Sequence, residues 1–145
     1  MNFFQAFQIS ASGMAVEKTR LDAIAVNLAN VNSSRGASGG GFKPLRVVSG
    51  ERMPSAFDAA LSRSGTPLMG AQVYEVRHVD VPDRLVYEPG HPDANARGFV
   101  AYPGISTVNE MVNLIGAVRS YEANVAAMNA TKSMALKALE MGSGK

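Results

Sequence analysis

The sequence predicts an α+β fold: two long terminal helices forming a coiled-coil-like bundle, with a small antiparallel β region and a long Gly-rich loop between them. Three observations carry this. All seven prolines lie between Pro44 and Pro103. Ten of the fourteen glycines lie between Gly36 and Gly104. The stretches 1–34 and 107–141 hold no proline and one glycine each, Gly13 and Gly116. Proline removes a helical N–H and clashes with the preceding turn, and glycine costs about 1 kcal/mol in a helix interior. The chain therefore divides into an N-terminal helix over 1–34, a linker over 35–72, a small β region over 73–106, a C-terminal helix over 107–141 and a tail over 142–145.

The N-terminal helix has a readable period. Phe7, Met14, Leu21 and Leu28 recur every seven residues, and Ile24 and Val31 follow three after Leu21 and Leu28. These are the a and d positions of a heptad. Gln8, Lys18 and Asp22 fall on the opposite face. Asn30, Asn32, Ser33 and Gly36 crowd the exit, where Asn or Gly suits a left-handed C-terminal cap. Asn27 sits in the last turns against its propensity. Either its amide bonds across to another helix or it is an exposed residue near a fraying end.

The linker carries Arg35, Lys43, Arg46, Arg52 and Arg63 against Glu51 and Asp58. Ser38-Gly39-Gly40-Gly41 reads as a flexible run, with a short strand at Leu45–Val48. The basic excess reads as a solvated loop or as a surface for an acidic neighbour. Val73–Val81 is β-branched and half polar, with a slip in alternation between Val76 and Val79 that suits a bulge. Arg84–Tyr87 and Gly98–Tyr102 read as strands separated by the turn-rich Pro89-Gly90-His91-Pro92. A sheet of two to four strands follows.

The C-terminal helix opens on Thr107-Val108-Asn109-Glu110, read as a capping box in which Thr107 accepts from the Glu110 amide. Val108, Met111, Ile115, Val118, Val125, Met128, Leu136 and Leu139 make one apolar stripe at helical spacing. Interspersed alanines favour helix and allow a partner close approach. A sheet of about 30 residues is too small to cover two such stripes. Helices gain their stability by packing an apolar face. The stripes must pair with each other, with other copies, or with both.

Composition narrows the function classes. Net charge is +2, with 46% apolar and 18% charged residues, which gives no footprint for a nucleic-acid partner. No window supplies the roughly 18 apolar residues of a membrane span. The N-terminus lacks the basic and apolar regions of a cleaved signal peptide. The absence of cysteine removes disulfides, thiolate metal sites and cysteine nucleophiles. His78 with Asp80, and His91 with Asp93, lack the spacing of a metal site. Gly36–Lys43 looks superficially like a phosphate loop, but Pro44 stands where Ser or Thr is needed. No serine triad or carboxylate pair has local support. His91-Pro92-Asp93 matches the loop tripeptide of J-domains, yet it lies between strands rather than helices. The residues give no enzyme, metal or cofactor.

Ser12-Gly13-Met14, followed by Leu21-Asp22-Ala23-Ile24-Ala25-Val26-Asn27-Leu28-Ala29-Asn30-Val31-Asn32, resembles the N-terminal signature of flagellar rod, hook and hook-associated proteins. Leu85–Ala94, Gly98–Pro103, Glu110–Ile115 and Arg119–Met134 resemble the flagellar basal-body rod family, on its proximal-rod branch. The likeness is weak over 35–65. It implies a structural subunit of the periplasmic rod, exported by the flagellar type III apparatus without signal cleavage. It also implies terminal helices that order on assembly. The expected partners are proximal and distal rod subunits and the protein joining the rod to the MS ring and export gate. The candidate interface residues are Phe7, Met14, Leu21, Ile24, Asn27, Leu28 and Val31 on the first helix. On the second they are the eight stripe residues from Val108 to Leu139. Phe3 and Phe7, one turn apart, form an apolar patch for the bundle with a second use as an export-gate contact. Two other classes remain open: an export adaptor whose helices clasp a client, and a monomeric helical hairpin with a small binding sheet.

Overall fold

A computed structural model describes residues 3–35, 40–54 and 69–142. The elements in order are α1 (Phe3–Ala29), β1 (Leu45–Glu51), β2 (Ala71–His78), β3 (Arg84–Tyr87), β4 (Phe99–Tyr102) and α2 (Thr107–Gly142). The fold is α+β, as expected. The strands form two separate two-stranded sheets, β1–β2 and β3–β4, rather than one. Gly36, Ser38, Gly39, Asp58, Arg63 and the tail from Ser143 lie outside the described residues.

The chain divides into two compact units, each built from parts of both helices. The first comprises Met1–Thr19, Ser49–Tyr74 and Ala117–Lys145. Val16 and Ala117 are the buried apolar residues among those described in it, and Ser10, Glu17 and Thr131 are buried too. Ala6 and Ile9 of α1 and Ala127 and Thr131 of α2 line one cleft here. Gly13 faces Asn124, and a Cβ on Gly13 would stand 2.7 Å from the Asn124 Oδ1. Glycine at this point in α1 leaves room for the Asn124 amide, which would have to move aside for a larger residue.

Ser12, next to Gly13, donates from Oγ to the Ile9 carbonyl at 2.7 Å and accepts from the Ala71 N–H at 3.0 Å. It thereby fixes the start of β2 against α1. Gly70, with φ of +81°, precedes that bond. A Cβ added there would collide with Ser12 Oγ, so no side chain fits. The β1 strand extends to Glu51, beyond the Val48 expected from sequence. Ser49-Gly50-Glu51 has poor strand propensity, but Gly50 lets the Tyr74 ring lie against the strand. The Tyr74 hydroxyl then donates to the Glu51 carbonyl. Tertiary packing overrides propensity here.

The second unit comprises Arg20–Val48 and Glu75–Gly116. Ala23, Ile24, Val100 and Ile105 are its buried apolar residues. β3 and β4 pair antiparallel, Arg84 opposite Tyr102 and Tyr87 opposite Phe99. The turn between them is held by Asn95, whose Oδ1 accepts from the Arg97 and Phe99 N–H groups. Helix α1 closes at Ala29. Its stop is the Asn30 side chain, which donates to the Val26 carbonyl at 2.8 Å. No described non-glycine residue has positive φ, so the left-handed Asn cap expected from sequence is replaced by a side-chain cap that needs no strained backbone.

Three of the linker's described cations find acidic partners within the second unit. Arg35 meets Asp83 at 2.8 Å, Lys43 meets Asp80 at 2.6 Å and Arg46 meets Glu110 at 2.6 Å. The Arg35 N–H also donates to the Ala101 carbonyl, and Ser34 to Asp93. Lys43 holds the Asp80 carboxyl below its ordinary pKa by its hydrogen bond and its charge. No helix of the described residues is long and apolar enough to cross a membrane.

Candidate assembly interface

The two helices present their apolar residues very differently. On α1, Ile24 and Asn27 are buried, and Phe7, Met14, Leu21 and Leu28 are half-buried, as is Val31 just beyond it. This stripe is largely turned into the fold. On α2, Val108 is 71% exposed, Met111 57%, Ile115 54%, Leu136 51% and Leu139 70%. Val118, Val125 and Met128 are half-buried. The helix therefore has a covered middle and two uncovered ends. The C-terminal end is the barer: between Lys132 and Gly142 only Ala135 escapes full exposure. Phe3 lines a shallow apolar groove with Ala135, Ala138, Leu139 and Gly142, while Phe4 points away and is 72% exposed.

The first turns of α2 carry a second peculiarity. From Thr107 to Gly116 the one charged residue is Glu110, and its side chain is 1% exposed. The outward surface of this stretch holds no charge. Charge depletion of this kind marks the core of a protein interface more reliably than apolarity does.

Glu110 is held by a buried polar network that sequence reasoning reached only at Asn27. The Asn27 Nδ2 donates to the Leu45 carbonyl at 3.0 Å and to Glu110 Oε2 at 3.3 Å. The Asn27 Oδ1 accepts from the Leu45 N–H at 2.7 Å. The carboxamide thus satisfies both backbone groups of the first residue of β1, as a neighbouring strand would. Arg46 NH1 supplies the charge opposite Glu110 Oε1 at 2.6 Å. Asn27 is fully buried, and its amide does bond across to the other helix. Burying a carboxylate is costly unless it is paired and hydrogen-bonded, and here it is both.

This use of Glu110 corrects the expected capping box. Glu110 turns inward and does not reach back to the helix start. Ser106 is the N-cap: its Oγ accepts from the Asn109 N–H at 3.3 Å, and its carbonyl accepts from the Glu110 N–H at 3.0 Å. The spacing Thr-x-x-Glu matched the motif, but the buried Arg46–Asn27 partnership binds the carboxylate more strongly than one exposed amide can.

His78 and Asp80 bond Lys43, at its carbonyl and ammonium respectively. His91 Nδ1 accepts from the Asp93 N–H. Among the described residues no group of three or more His, Cys, Asp or Glu side chains converges. The His91-Pro92-Asp93 tripeptide is a turn against β4, with the His91 ring edge-on to Tyr102 at 6.5 Å. The Tyr102 phenol is held above its ordinary pKa, first by packing and then by the Glu88 carboxylate that accepts its proton.

Comparison with known proteins decides what such a molecule is. The family described as flagellar basal body rod FlgEFG protein C-terminal matches residues 96–141, which take in β4 and nearly all of α2. The flagellar basal-body rod protein FlgC of Bacillus subtilis strain 168 is 41% identical, over 98% of this chain and 99% of its own. FlgC of Escherichia coli O6:H1 is 39% identical over the same shares, and FlgC of Borreliella burgdorferi is 30% identical over 99% and 100%. The chain belongs to the FlgC family. It is a structural subunit of the flagellar basal-body rod, in a family without enzymatic activity. Membership associates it with other components of the rod. The Ser12-Gly13 pair of the family-like signature is explained by its contacts: Ser12 anchors β2 and Gly13 admits Asn124.

Proposed function

We propose that this FlgC-family chain polymerises through its two terminal helices with proximal and distal rod subunits and with the protein joining the rod to the MS ring and export gate. In that position it carries torque from the base to the distal rod. The observation that supports this best is the exposed apolar stripe of α2, uncovered at Val108, Met111, Ile115, Leu136 and Leu139. Exposed apolar surface of this extent on a helix calls for a protein partner. On this reading the subunit is exported without signal cleavage and works in the periplasm. Phe3 and Phe7 add an export-gate contact to their packing role.

The stretch 132–142 is exposed at every residue but Ala135. A helix of that length is marginal in water on its own, so it orders fully when neighbours cover it. Limited trypsin digestion compares the purified chain with the same chain in isolated basal bodies. Cleavage at Lys132 and Lys137 in the free subunit, and protection after assembly, is the expected result. Protection in both states, with no polymer formed at high concentration, would favour a monomeric hairpin. A soluble heteromeric complex without polymerisation would favour an export adaptor.

A further inference from the structure

Among the described residues, one face of the β3–β4 ribbon is left exposed. Strand alternation places Leu85, Tyr87, Phe99 and Ala101 on that face, and Val86 and Val100 on the other. Val100 is completely buried, whereas Leu85 is 62% exposed, Tyr87 64% and Phe99 37%. The two exposed rings pack against each other. Tyr87 and Phe99 are directly opposite in register and stack edge to face, with centroids 5.3 Å apart. Gly98, at φ of +80°, lets the Tyr87 ring sit where a side chain would stand 2.8 Å from its Cε2. An aromatic platform held in place this way loses little entropy when it is covered.

The same unit carries the charge-free stretch of α2, with Val108, Met111, Val112 and Ile115 all more than half exposed. Both surfaces are bare at once, so neither covers the other within one chain. We infer that the Leu85–Tyr87–Phe99 face is a lateral docking surface for a second copy of this chain, which seats the Thr107–Gly116 turns of its α2 there. The contact is heterologous: two different patches of one molecule meet on neighbouring copies, the kind of interface that builds an open helical polymer. The two patches match in chemistry. Both are apolar and uncharged at the centre, and the Met111 thioether suits the edge of an aromatic ring.

Size argues for a neighbour in a polymer over a free-standing partner. Aromatic side chains cover about 150–250 Å² each when fully buried, so these three partly exposed residues offer roughly 300 Å². A stable binary complex needs about 800 Å² from each partner. A patch this small functions where a larger contact already holds the two copies together and raises their effective concentration.

The inference rests on the polymerising rod-subunit reading above, and cysteine crosslinking separates the two. The chain contains no cysteine, so introduced thiols are its only ones. Chains carrying Tyr87→Cys with Ile115→Cys are incorporated into basal bodies and treated with a short bismaleimide. The expected result is a ladder of dimers and higher multimers of this chain, absent from either single-cysteine chain. Leu85→Cys with Met111→Cys repeats the test if the first pair perturbs folding. Crosslinking of Tyr87→Cys to itself, to a different protein, or to nothing in basal bodies that contain the chain would overturn the inference. Absence of the unmodified chain from basal bodies would instead defeat the rod-subunit reading.

Discussion

Removal of the Asn27 side chain should destabilise the fold more than any surface change. Asn27→Ala deletes three hydrogen bonds at a completely buried position. It leaves the Leu45 N–H and carbonyl without their side-chain partner and Glu110 Oε2 without its Asn27 donor. A buried polar group left unmade costs about 1–3 kcal/mol. The two backbone groups are partly within reach of water, so the sum is about 3–5 kcal/mol. That is a large share of the roughly 5–15 kcal/mol by which domains are stable. Urea unfolding followed by helical circular dichroism measures it.

Asn27→Asp separates the polar role from simple volume. It keeps an acceptor for the Leu45 N–H but sets a second carboxylate against Glu110. Two carboxylates sharing a site cannot both ionise cheaply, so the pair's apparent pKa rises in the folded state. Stability of this variant is then greatest at low pH and falls as pH climbs through that raised value. The variant should lose stability as pH rises above the ordinary carboxylate range, whereas Asn27→Ala introduces no such pair. An Asn27→Ala chain within about 1 kcal/mol of wild type, or a pH-independent Asn27→Asp loss, would refute the account of the network.

Three further outcomes are expected. Ser106→Ala should cost about 1 kcal/mol by urea unfolding, and Thr107→Ala clearly less, because Ser106 is the N-cap. Gly13→Ala should gain less than the roughly 1 kcal/mol that helix propensity alone supplies, because the Asn124 amide must move aside. Adding Asn124→Ala should restore the full gain, a non-additivity read in a double-mutant cycle. Lys43→Gln should raise the Asp80 titration midpoint, followed by side-chain NMR, toward the ordinary carboxylate value. The lowered pKa means that the pair contributes above that ordinary value and is lost as pH falls through the depressed one.

The helices and the β3–β4 ribbon were legible because local signals and tertiary packing agree there. Proline and glycine exclusion fixed the extent of α2 to within one residue, and the Pro-Gly turn sequence placed β3. Asn27 was visible as a residue out of place in a helix, which is the usual trace of a buried polar partner. Its partners were not visible. Arg46 read as one more charge in a basic loop, and Glu110 read as half of a capping box. Both assignments depend on which segments meet in space, and sequence spacing within one element carries no information on that. Ser12 and Gly13 were similarly mute, for their roles are set by Ala71 and Asn124, 59 and 111 residues distant along the chain respectively.

The same distinction explains why the two heptad-like stripes, so alike in sequence, have different fates. Periodicity reports that a face must be covered, not what covers it. In α1 the stripe is half-buried or buried throughout, and Ile24 and Asn27 disappear into the fold. In α2 the stripe is half-buried only at Val118, Val125 and Met128, and its two ends stay exposed. A monomer under selection for solubility would carry charge on the N-terminal end as well, as the C-terminal end does at Lys132, Lys137 and Glu140. Instead, Thr107–Gly116 withdraws its one carboxylate into the interior, where Asn27 and Arg46 hold it. The network thus does two things at once: it ties β1 and both helices together, and it leaves the outer face of α2 free of charge. A surface kept free of charge by burying its only carboxylate has the chemistry of an interface core, which is what the proposed docking of rod subunits on α2 needs.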